Sequence, residues 1–136
     1  MSLEEFAELA HTTRYRPPDV DDYNVLERKY WSTLNSDPPI YGADVEASLT
    51  DPDCNEFNIT KLNTILDLIN NRDGTILGVN TAYLYFGMWK STFPWHTEDV
   101  DLYSINYLHF GKPKSWYCVP PAHGKKLEKT LNSKLI

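Results

Sequence analysis

The chain has 136 residues, 41% of them hydrophobic, which is enough for one compact domain to bury a core of its own. A net charge of −6 and a pI near 5.1 disfavour direct contact with nucleic-acid phosphates, which clustered Lys and Arg carry, and suit a basic peptide better as a partner. No leader-like apolar start and no run of about 20 apolar residues occurs, so neither secretion nor membrane spanning is expected.

In chain order, Ser2-Leu3-Glu4-Glu5 has the form of a capping box, and Leu3, Phe6, Leu9 and Ala10 follow at helical spacing. Arg16-Pro17-Pro18 breaks this first helix. Asp21-Asp22 ahead of Val25, Leu26 and Tyr30 predicts a second helix of about three turns, ended by Pro38-Pro39. After an irregular acidic segment, Asn58 is placed to cap a third helix, with Ile59, Leu62, Ile65, Leu66 and Ile69 as one apolar stripe and Gly74 as its close. Asn58-Ile59-Thr60 also matches a glycosylation sequon, read as accidental without a secretory signal. Cys54 and Cys118 belong to no CxxC or CxxH unit, which argues against a structural zinc site and for a reducing compartment.

From about Thr75 the period shortens to two and aromatic and β-branched residues take over. Residues 82–89 read as a strand with Tyr83, Tyr85, Gly87 and Trp89 on one face and Ala82, Leu84, Phe86 and Met88 on the other, both faces covered. Residues 103–110 read as the next strand and 114–119 as another, paired as a hairpin across Gly111-Lys112-Pro113. Pro120-Pro121 opens a last helix carrying Leu127 and Leu131, in which Lys125, Lys126, Lys129 and Lys134 read as a solvated face.

Within Trp95-His96-Thr97-Glu98-Asp99, His96 and Glu98 lie two apart, so on an extended backbone both side chains project to one side. An imidazole and a carboxylate so placed can fill two neighbouring corners of an octahedron, and one further histidine completes the facial triad of non-haem Fe(II) oxygenases. Taken alone, so short a pattern reads first as a surface salt-bridge pair.

Its surroundings carry more. Tyr83-Leu84-Tyr85-Phe86-Gly87-Met88-Trp89-Lys90 and Leu102-Tyr103-Ser104-Ile105-Asn106-Tyr107-Leu108-His109-Phe110-Gly111, with residues 93–98 and 114–121, resemble the JmjC domain of histone lysine demethylases, in particular the group acting on trimethylated lysines. Leu26-Glu27-Arg28-Lys29-Tyr30-Trp31 and Pro39-Ile40-Tyr41-Gly42-Ala43-Asp44 resemble the segment joining their JmjN and JmjC parts. The resemblance implies an α+β chain, helices followed by the first strands of an incomplete double-stranded β-helix (a cupin-like jelly roll). Residues 1–40 would be a helical lead-in and 41–136 the amino-terminal part of a JmjC domain.

It further implies Fe(II) held by His96 and Glu98, and 2-oxoglutarate as cosubstrate. Tyr41 and Lys114 would hold the distal carboxylate, Asn106 would donate near the metal-bound end, and Phe93 and Trp116 would wall the pocket. Gly78, Tyr83 and Tyr85 would surround the methylated lysine, and Asp44 would lie beside the bound histone tail. The implied activity is hydroxylation of an N-methyl group with release of formaldehyde, in the nucleus. The family's third iron ligand is a later histidine, beyond residue 136; His11, His109 and His123 read as ordinary histidines. The chain is therefore expected to be an inactive piece of a demethylase. A non-catalytic module that binds a partner or methylated tail, or a JmjC protein hydroxylase, stands as the alternative.

Overall fold

The computed structural model describes residues 1–68 and 74–134, which divide into two compact units, Met1–Tyr103 and Ser104–Ile136. In the first unit, α1 spans Leu3–Ala10. Its capping box is complete: Ser2 Oγ accepts from Glu5 N at 3.2 Å, and Glu5 Oε2 accepts from Ser2 N at 2.7 Å, so two of the orphan donors at the helix start are satisfied. Helix α2 spans Tyr23–Thr33, with Asp22 Oδ1 accepting from Asn24 N at 2.8 Å. Its last carbonyls are met from far along the chain, since Lys90 Nζ donates to Thr33 O at 3.1 Å and also to Ser36 O.

Two strands, β1 (Tyr41–Glu46) and β2 (Tyr83–Gly87), pair antiparallel, with Tyr41 opposite Gly87 and Glu46 opposite Tyr83. Between Gly42 and Val45 the register slips, because β1 spends one more residue than β2 over the same stretch. Asp44 lies in this bulge at φ 57°, a left-handed conformation that aspartate tolerates better than most residues. The first of these strands was not expected from sequence. Gly42 and Asp44 are poor strand formers, and it is the pairing of Tyr41, Gly42, Val45 and Glu46 with β2 that makes a strand of this segment.

Several expectations are corrected. The expected third helix does not start at Asn58: residues 59–60 form a turn and 61–64 no regular structure, residues 67–68 are helical, and Ile69 lies outside the described residues. Asn58, 3% exposed, does not cap a helix: its Nδ2 donates to Cys54 O at 2.8 Å while its Oδ1 accepts from Thr60 N at 2.9 Å and from Thr60 Oγ1 at 2.6 Å. These local bonds compete successfully with the helix that the apolar stripe suggests. Both faces of residues 83–86 are half-buried rather than covered. In the second unit, residues 104–109 and 114–119 form no ladder, so the expected hairpin is absent. Strand propensity is realised only against neighbouring strands and a packed face, and no partner strand reaches these segments among the described residues. The sheet is therefore two-stranded and open, an incomplete form of the expected β-helix.

The last helix does form. A single 3₁₀ turn, Pro121–His123, leads into α3, Gly124–Lys134. Among the described residues no hydrophobic side chain is fully buried, and Phe57, Val100, Tyr103 and Phe110 are largely exposed. No helix among them is long and apolar enough to cross a membrane.

Candidate functional site

The segment carrying His96 and Glu98 leaves β2 through a tight turn that is fastened at several points. Met88 N donates to Ser91 Oγ at 2.9 Å, and Ser91 Oγ donates to Ile40 O at 3.3 Å. The Thr92 and Tyr30 hydroxyls are 3.0 Å apart, and Lys90, at φ 69°, reaches the end of α2. Sequence reading did not single out Lys90, Ser91 or Thr92; most of their partners are backbone carbonyls, which no side-chain pattern reports.

Residues 94–98 belong to no strand, yet the two side chains still converge. His96 Nδ1 donates to Pro94 O at 2.8 Å, and the carbonyl can only accept, so the neutral ring carries its lone pair on Nε2. That nitrogen lies 3.8 Å from Glu98 Oε1, with both side chains about half exposed. Two acceptors on neighbouring side chains that face one another can chelate a single metal ion. Ligand atoms about 2.0–2.1 Å from a divalent metal at adjacent octahedral corners stand about 3 Å apart. The pair is thus slightly open and fits a metal after a small closure. The backbone bond to Nδ1 is also the kind of contact that orients a ligating histidine. Among the described residues, no group of three or more His, Cys, Asp or Glu side chains is placed to share one metal ion.

Around this pair the first unit assembles an aromatic cluster. Phe93 lies 6.1 Å from the His96 ring, 5.5 Å from Tyr41 and 5.3 Å from Tyr85, ring centre to ring centre, and Tyr83 is 6.5 Å from Tyr85. Tyr85 Oη donates to Asp44 Oδ1 at 2.8 Å. Burial, then this bond and the aspartate charge, push the Tyr85 hydroxyl up to about 12; burial and the same charge push Tyr41 to about 12. Both hydroxyls are therefore protonated donors at neutral pH. Gly78, at φ 75°, lies under the Tyr83 ring, where a Cβ would stand 2.6 Å from Tyr83 Cε2.

The remaining candidates fall in the second unit and meet there. Lys114 Nζ donates to Asn106 Oδ1 at 3.3 Å and stands 5.3 Å from the centre of the Trp116 ring. Burial pushes the Lys114 ammonium below its ordinary value. Seven of the eight candidates in the first unit are thus linked by ring contacts, the Tyr85–Asp44 bond or the His96–Glu98 pair, and Gly78 joins them beneath Tyr83. Asn106, Lys114 and Trp116 form a second group.

Residues 83–136 match the family model described as "JmjC domain, hydroxylase". The chain is 58% identical over 130 residues to mouse "Lysine-specific demethylase 4B", 54% over 129 residues to rat "Lysine-specific demethylase 4D" and 52% over 129 residues to human "Probable lysine-specific demethylase 4F". These alignments cover 94–95% of the chain but only 12%, 25% and 20% of the respective relatives.

Proposed function

Since this chain carries part of a JmjC domain and is closely related to the lysine-specific demethylases, we propose that it is part of an Fe(II)- and 2-oxoglutarate-dependent histone lysine demethylase of the nucleus. The observation that carries this reading is the orientation of His96, whose Nδ1 is tied to Pro94 O while Nε2 faces Glu98 Oε1 at 3.8 Å. His96 and Glu98 are two of the protein ligands to iron. Iron and 2-oxoglutarate, when bound, supply the oxygen chemistry that hydroxylates an N-methyl group, after which formaldehyde departs.

The chain's own residues bind and orient. Lys114 offers a fixed cation to the distal carboxylate of 2-oxoglutarate, and an arriving anion opposes the downward shift that burial imposes on its ammonium. In the first unit Tyr41 offers a protonated hydroxyl to a 2-oxoglutarate carboxylate and Phe93 an apolar wall; in the second, Asn106 offers an amide and Trp116 an apolar wall. Tyr83, seated over Gly78, and Tyr85 receive the methylammonium group, whose diffuse charge suits ring faces and oxygen lone pairs. Because Tyr85 donates its hydroxyl proton to Asp44, the same oxygen can still accept from polarised methyl groups. Asp44 stands beside the basic histone tail.

A second reading has its own support: two ligands without a third among the described residues would let the chain hold a methylated tail without oxidising it. The two are separated by measuring succinate and formaldehyde from the 136-residue chain given Fe(II), 2-oxoglutarate and a trimethyl-lysine histone peptide, beside His96→Ala, and repeating this in a full-length relative carrying the same change. The expected result is no product from the 136-residue chain, and loss of both products from the relative on His96→Ala. A relative that keeps its activity without this histidine refutes the metal assignment, and hydroxylated peptide without formaldehyde points to a protein hydroxylase instead.

A further inference from the structure

The net charge of −6 conceals a division between the two units. Met1–Tyr103 holds seven Lys and Arg against eighteen Asp and Glu, net −11, whereas Ser104–Ile136 holds six lysines against Glu128 alone, net +5. Helix α3 concentrates this charge. At about 100° per residue, Lys125, Lys129 and Lys126 fall within a ~100° arc, and Leu127 and Leu131 lie on the far side.

Helix stability does not account for these lysines. Lys125 and Lys126 occupy the first turn, where a positive charge opposes the helix dipole, and no acidic residue is present there to compensate. Lys125 and Lys129 are a like-charged i, i+4 pair, which is unfavourable. All four lysines of α3 are exposed, and none makes an ion pair with another described residue.

We propose that the lysine face of α3 binds the phosphate backbone of duplex DNA, independently of the metal site. The choice of DNA among polyanions rests on the chromatin reading above, because a protein that engages a histone tail works within reach of the DNA the histones carry. The surface holds only lysines, point charges suited to phosphates, and no arginine fork or aromatic platform for reading bases, so it binds without sequence preference.

The test is binding of the whole chain to a fluorescent ~20-base-pair duplex, followed by anisotropy over a range of salt. Each lysine engaging a phosphate contributes about −0.9 to the slope of log K against log salt. Lys125→Gln/Lys129→Gln should therefore flatten the slope by about 1.8, and the helix persists because Gln and Lys have similar helix propensity, which circular dichroism checks. Arg16→Gln/Lys29→Gln removes the same charge from the first unit and should leave the slope unchanged. Absence of binding, or equal loss in both double variants, overturns the proposal; so does equal competition by polyglutamate, which would mark an acidic protein as the partner. Binding of a methylated histone peptide, measured in parallel, should be untouched by the α3 changes, so a failure there counts against the proposed function and not against this surface.

Discussion

Asp44 accepts the Tyr85 hydroxyl at 2.8 Å, and its charge also bears on Tyr41, so one carboxylate influences two of the rings around His96. For both tyrosines burial is the larger cause of the upward shift. Asp44→Asn should therefore lower both values from about 12 without restoring them to the ordinary value of ~10, read by tyrosinate absorbance in an alkaline titration. The sign for stability follows from the same shift. Between pH ~10 and 12 the unfolded chain has lost the two protons while the folded chain keeps them, so stability present below pH ~10 is lost as pH rises through 12. A melting temperature independent of pH across this window would contradict both assignments. Gly78 is the other sensitive position: Gly78→Ala places a methyl 2.6 Å from Tyr83 Cε2 at φ 75°. A cost of about 1–3 kcal/mol and a displaced Tyr83 ring signal in NMR are expected.

At the level of elements, capping was legible because its partners are close in sequence. Ser2 with Glu5 and Asp22 with Asn24 fix where α1 and α2 begin. Ser2→Ala should cost about 1 kcal/mol of helix stability and fray α1, seen as a loss of far-ultraviolet helical signal. The other end of α2 was not legible, since Lys90 lies more than fifty residues beyond the carbonyls it meets. Lys90→Met removes charged hydrogen bonds worth about 1.5–3 kcal/mol each. It should raise amide exchange near Thr33 to Ser36 and loosen the turn that precedes Phe93 and His96; unchanged exchange there would remove Lys90 from this role. The stripe from Ile59 to Leu66 misled because Asn58 finds three bonds within four residues, closing a turn where a helix cap was expected.

Over the whole chain, large apolar side chains remain in contact with water: Phe57 is 85% exposed, Phe110 74% and Val100 93%. Since stability is a small surplus of apolar burial over conformational entropy, the 136-residue chain should unfold over a broad range of temperature and bind a hydrophobic dye strongly. A single sharp calorimetric transition without dye binding would contradict this. The sequence by itself determined where α1 and α2 start, β2 and the convergence of His96 with Glu98, because each depends on residues near one another in the chain. Only the tertiary structure decided that Asp44 enters a bulge and meets Tyr85, that Lys90 closes α2, and that residues 104–109 and 114–119 form no strand ladder. Those outcomes depend on which distant groups arrive to satisfy a carbonyl, a hydroxyl or a strand edge, and no local pattern encodes an arrival.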